Sequence, residues 1–189
     1  MGVFDFFKKK KKEPEYDPSN ITIRDLRKGF VLDYDLKTWE VKAEFEYDWG
    51  NNFFSREFKL DSGDEVVYLH LSEDDEIYLT ISKKIKIRNL DEDLPEYIAQ
   101  HEQPPKKLIF EGKTYFLDKE SPGYFRDFEN PGDKDEDWCE MISWEYYDST
   151  EKLVLSVEQW GEREFEASYG KVVGEFSFSN ILPSSSEIV

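Results

Sequence analysis

Carboxylates and aromatic rings are the side chains of this sequence with chemistry to offer. Paired carboxyl groups can divide acid and base work in a hydrolase. Glu158, Glu162, Glu164 and Glu166, in EQWGEREFEASYG, are the first such group. The chain has 43 Asp and Glu, so pairs arise by chance and a carboxylate-dependent hydrolase has little specific support. Glu164 and Glu166 also read as the wet face of a strand whose dry face carries Phe165 and Ala167. Ring faces attract cations. Trp144 and Trp160 with Glu158 and Glu162 therefore form a candidate ligand set for a polyamine or another small cation. Core packing is the competing use of the same rings.

Other chemistries fail on spacing. His70 and His101 have no metalloprotease or triad context; they read as a half-buried strand histidine and a surface histidine. Cys139 has no basic neighbour to make a thiolate and reads as a small packed residue. The run Asp133 to Asp137 opens like a calcium loop, but Trp138 stands where the sharp turn needs Gly and Trp144 where the last Glu ligand belongs. Glycines occur singly at turns, with no phosphate-cradling pattern. No catalytic residue, cofactor or metal ligand is assigned, and a non-enzymatic binding or scaffold module is the leading expectation.

The first twelve residues, MGVFDFFKKKKK, differ from everything after them. Phe4, Phe6 and Phe7 precede Lys8, Lys9, Lys10, Lys11 and Lys12, whereas the chain as a whole carries a formal charge of −18. Such a segment suits an anionic membrane surface, at about 1 kcal/mol per lysine, or a partner protein that receives its rings. Phe6 stands where a myristoylation pattern needs Ser or Thr. The acidic remainder disfavours nucleic acid as a partner. No apolar run approaches the roughly 20 residues of a membrane span, and no secretory signal is visible. A bacterial cytoplasmic location is expected, peripheral at the inner membrane if the tail binds there.

The elements that position these residues are strands. Thr38 to Trp49 alternates strictly, with Trp39, Val41, Ala43, Phe45, Tyr47 and Trp49 on one face and Thr38, Glu40, Lys42, Glu44, Glu46 and Asp48 on the other. FFSREFKL, EVVYLHLS and EIYLTIS follow, separated by Gly- and Asp-rich turns, and Lys83 to Arg88 reads as a further short strand. Leu90, Leu94 and Ile98 recur at helical spacing, predicting one short helix near 91–101 capped by Asp91 and stopped by Pro104 and Pro105. The second half repeats the texture of the first. The expected fold is all-β: two similar antiparallel meanders forming bent sheets or small barrels, with one short connecting helix. The boundaries are a basic amphipathic tail and linker at 1–19, a first β repeat at 20–90, helix and linker at 91–105, a second β repeat at 106–183 and a tail at 184–189. The rings are expected to form the dry interior and the carboxylates opposite them to face solvent.

The blocks MGVFDFFKKKK, DLRKGFVLDYDLKTWEVKAEFEYDWG, EVVYLHLSEDDE, ISWEYYD and EQWGEREFEASYG resemble a bacterial family labelled domain of unknown function 4178, from Asp25 to Pro183. The resemblance implies an all-β domain, often in tandem, and no established reaction or catalytic residues. It also implies genomic company with phage-shock-type membrane stress proteins, small membrane proteins and polyamine-synthesising enzymes, in keeping with a lipid-touching tail or a cationic ligand.

Overall fold

The structure, a computed structural model, describes residues 16–128 and 138–183. Its strands are β1 (Val31–Tyr34), β2 (Lys37–Asp48), β3 (Phe54–Asp61), β4 (Val66–Glu73), β5 (Ile77–Ile85), β6 (Lys107–Phe110), β7 (Lys113–Asp127), β8 (Cys139–Asp148), β9 (Leu153–Gly161), β10 (Glu164–Val173) and β11 (Phe178–Leu182). Every pairing is antiparallel, and the order is β11-β1-β2-β3-β4-β5-β10-β9-β8-β7-β6. A further pairing of β2 with β7, from Phe45↔Asp127 to Asp48↔Tyr124, joins the two flanks. Eight strands thereby close into a ring: β2 to β5 from one half of the chain and β7 to β10 from the other. The two meanders share one barrel, because their open edges satisfy each other's backbone groups at β5–β10 and β2–β7. Gly170 lets β10 approach β5 closely; a Cβ there would lie 2.3 Å from the Ile81 carbonyl oxygen.

The apolar faces of the ring strands point outward. On one flank Phe58, Leu60, Val67, Leu69, Leu71, Leu79 and Ile81 form a core with Ile23, Leu26, Phe30, Leu32, Trp39 and Phe178. The short strands β1 and β11, the first half of β2 and a 3-10 turn at Ile23–Asp25 supply the cover. On the other flank Trp144, Tyr146, Leu155 and Val157 pack with Leu108, Tyr115 and the helix residues Leu94 and Ile98. Each fully buried large side chain contributes about 1.5–3 kcal/mol, so the stabilising bulk lies around the barrel.

Bulges explain how one strand serves both sides. β2 pairs Val41 with Leu60 but Ala43 with Lys59, slipping one residue at Lys42. Before the slip Trp39 and Val41 enter the outer core; after it Tyr47 and Trp49 face inward. The unbroken alternation of Thr38 to Trp49 therefore does not mark a single dry surface, since a bulge switches faces without breaking the sequence pattern. β7 has the matching slip between Leu117 and Lys119.

Other expectations change in detail. Helix α1 spans Leu94–His101, with Asp93 at its N-cap and Asp91 accepting the Asp93 amide at 2.9 Å. Lys83 to Arg88 is the end of β5 followed by a 3-10 turn at Ile87–Asn89. Cys139 is exposed at the start of β8 rather than packed. His101 is exposed and stacks on Tyr97, 4.0 Å between ring centroids. The carboxylates opposite the rings do not all face solvent: in the ring strands that side lines the barrel.

Candidate functional site

The inward faces enclose a polar lumen. Tyr47 enters it from β2 and Trp49 from just past its end, Glu57 from β3 and His70 from β4. Tyr78, Thr80 and Ser82 follow along β5, with Ser168 on β10. Val154, Ser156 and Glu158 line it from β9, and Ser143, Glu145 and Tyr147 from β8. Register explains the grouping: Glu57 stands opposite His70, His70 opposite Thr80, Ser168 opposite Ser156 and Glu158 opposite Ser143. An eight-stranded barrel is wide enough for its own side chains or one small ligand. Here the free volume is about 50 Å3, room for a few water molecules or one small ligand group.

Three carboxyl groups share this space with little neutralising charge. The Tyr47 hydroxyl donates to Glu57 Oε1 at 3.4 Å, and the Tyr147 hydroxyl to Glu145 Oε2 at 3.3 Å. Glu158 has no hydrogen bond or salt bridge to a described residue. Lys84, past Ser82 on β5, is bonded to Glu166 at one end of the lumen. Glu57 and Glu158 line the lumen and are only partly exposed. Loss of solvation therefore dominates, raising Glu57 to about 7 against the pull of Lys84. It raises Glu158 to about 8, with the Glu57 charge adding to it. Burial raises Glu145 as well. His70 is lowered to about 4 by burial and the Lys119 charge, so its imidazole is neutral. Near neutral pH Glu158 is therefore mostly the carboxylic acid, beside a neutral imidazole. Among the described residues no three His, Cys, Asp or Glu groups converge to hold a metal ion.

Rings close one side of the lumen. Tyr47 stacks on Trp49 at 5.3 Å, Phe125 meets Tyr47 at 5.3 Å, and Trp160 meets Phe125 edge-on at 4.8 Å. The Trp49 indole donates to Ser55 Oγ at 2.7 Å, whereas the buried Trp160 Nε1 has no partner among the described residues. Gly123 runs beneath Trp49, and a Cβ at that position would sit 2.7 Å from the indole.

The four residues singled out as ligand candidates are dispersed. Glu158 is in the lumen and Trp160 in the ring cluster beside it. Glu162 is exposed in the β9–β10 turn. Trp144 is fully buried in the outer core, its indole donating to Glu120 Oε2 at 2.9 Å. Phe4, Phe6, Phe7 and Lys8 to Lys12 lie outside the described residues, as does the acidic run 133–137. Glu57, Glu145, His70, Tyr47, Tyr78 and Tyr147 were not singled out by sequence as site residues. The signal that could have found them is the company they keep. Ser72, Thr80, Ser82, Ser143, Ser156 and Ser168 occupy the supposed wet faces, and such short hydroxyl side chains suit a confined space better than a solvated surface.

The family model described as a domain of unknown function, DUF4178, matches residues 27–175. An uncharacterized protein of Aquifex aeolicus (strain VF5) is 28% identical over 179 residues, covering 94% of each chain. No solved structure matches. Among the described residues no helix is long and apolar enough to cross a membrane.

Proposed function

The chain belongs to the DUF4178 family, and for it we propose a receptor role: the barrel takes a small organic cation, such as an alkylammonium group, into its lumen. The observation that carries this reading is the enclosure of Glu57, Glu145 and Glu158 where, among the described residues, the cations that bear on their charge are Lys84 and Lys119. An ammonium group supplies both the positive charge and the hydrogen-bond donors that Glu158 lacks. The faces of Tyr47 and Trp49 add cation–π attraction of about 0.5–2 kcal/mol. The narrow lumen favours a slender alkylammonium chain over a sugar ring set between two carboxyls. The test is titration with 1,4-diaminobutane, followed by tryptophan fluorescence in about 150 mM salt, where loose surface attraction is screened. A saturable change that disappears in a Glu57→Gln/Glu158→Gln double variant supports the reading. No saturable change, or the same change in the variant, refutes it.

A further inference from the structure

The lumen and a larger outer cavity of about 490 Å3 have Tyr78 and Tyr147 in common. Their hydroxyl oxygens are 2.7 Å apart, and Tyr147 reaches on to Glu145. With Tyr147 donating to Glu145, Tyr78 donates to Tyr147, so a chain of hydroxyls closes the wall between the two spaces. We propose that this tyrosine pair is the entrance to the lumen and that the outer cavity gathers cations in front of it. The inference deepens the receptor reading and rests on it.

Charge favours this end. Asp118, Asp148 and Glu151 line the outer cavity, with Glu145 behind the tyrosines; the Lys119 charge acts on Glu145 and offsets one of these four. Asp148 is held in place by the amides of Lys152 at 3.1 Å and Leu153 at 3.0 Å. At the other end of β5 the Lys84 ammonium, paired with Glu166, faces Glu57 and Glu158 and repels an arriving cation. On the side of Phe125 and Trp160 a cavity of about 690 Å3 shares only Trp49 with the lumen, and Trp49 is stacked on Tyr47 there. Just inside the tyrosines, Thr80 is only 9% exposed and its hydroxyl has no partner among the described residues. It is an unused donor and acceptor on the path. Opening requires the loss of one neutral hydrogen bond and rotation of one ring.

Thiol labelling tests the entrance without any ligand. In the full chain with Cys139→Ala, a Thr80→Cys substitution places a thiol inside the tyrosines, and Ser156→Cys is an independent second reporter should the first fold poorly. The probes are aminoethyl methanethiosulfonate, a cation, and sulfonatoethyl methanethiosulfonate, an anion. The cation should label faster, and Tyr78→Phe should raise its rate about five-fold, the equivalent of one hydrogen bond worth about 1 kcal/mol. Equal rates for the two probes, a rate that Tyr78→Phe leaves unchanged, or no labelling of either reporter overturns the proposal. If labelling behaves as stated while 1,4-diaminobutane fails to bind, the receptor reading falls and the entrance stands. If the diamine binds and labelling ignores Tyr78, the entrance falls alone.

Discussion

Replacing Glu158 by Gln keeps the shape of the side chain and removes its charge. Glu158 titrates from 4.5 to about 8 on folding and Glu57 from 4.5 to about 7. For an acid whose folded value is raised, the native state holds the proton longer than the unfolded chain. Stability is then fully present below the unfolded value and is lost as pH rises through the folded one. His70, lowered from 6.5 to about 4, acts in the opposite sense, but only below about pH 6.5. Between about pH 6.5 and 8.5 the two carboxyls stand clear of it. Integrating their titrations gives a loss of about 3 kcal/mol across that window, about 2 of it from Glu158. For a chain of this length that is a fall in Tm of roughly 6–12 °C. The assay is urea unfolding of wild type, Glu158→Gln and Glu162→Gln at half-unit pH steps. Glu158→Gln should flatten the slope to about 1 kcal/mol and be the more stable protein at about pH 8.5. Glu162→Gln, in the exposed turn, should follow wild type. A wild-type curve that is flat or rises over this window, or a Glu158→Gln curve parallel to it, refutes the placement of Glu158 in a desolvated lumen.

Gly123→Ala should cost about 1–3 kcal/mol in urea unfolding, because the new methyl meets the Trp49 ring at 2.7 Å; an unchanged midpoint would contradict the packing of β7 on Trp49. Trp144→Ala should cost about 3–5 kcal/mol, since the ring is wholly buried, and full stability would remove it from the outer core. Deleting residues 1–12 should leave the affinity for 1,4-diaminobutane unchanged, because the lumen is built from strands between Lys37 and Val173; isothermal titration reads this, and a large loss would place the tail at the site.

The all-β architecture is legible because alternation is local: Val67, Leu69 and Leu71 lie on the buried side of β4 as their spacing says, and so do Leu79 and Ile81 on β5. The helix is legible for the same reason, with Leu94 and Ile98 buried one turn apart. Closure of the barrel is not local. The β2–β7 pairing joins residues about eighty positions apart, and neither partner carries a mark that names the other. Which side faces inward follows from closure and is therefore equally hidden; Glu57 alternates with Phe58 in the same way whether it meets bulk water or a lumen. Glu158 was reachable as one of several carboxylates in a suggestive block, but only the register that sets it opposite Ser143, and the closure that puts it in the lumen with Glu57, separate it from Glu162. Trp144 shows the reverse: a ring that reads as ligand-ready lies on the outward face of β8, under the helix.

The central claim is that carboxyl groups are enclosed in the barrel and wait for a cation. Carbon-13 NMR of the glutamate side-chain carboxyls, assigned with Glu57→Gln and Glu158→Gln, tests it most directly. Without the diamine two carboxyls should titrate at about 7 and about 8, and saturating 1,4-diaminobutane should lower both midpoints. Every glutamate titrating near 4.5, with no response to the diamine, would contradict it.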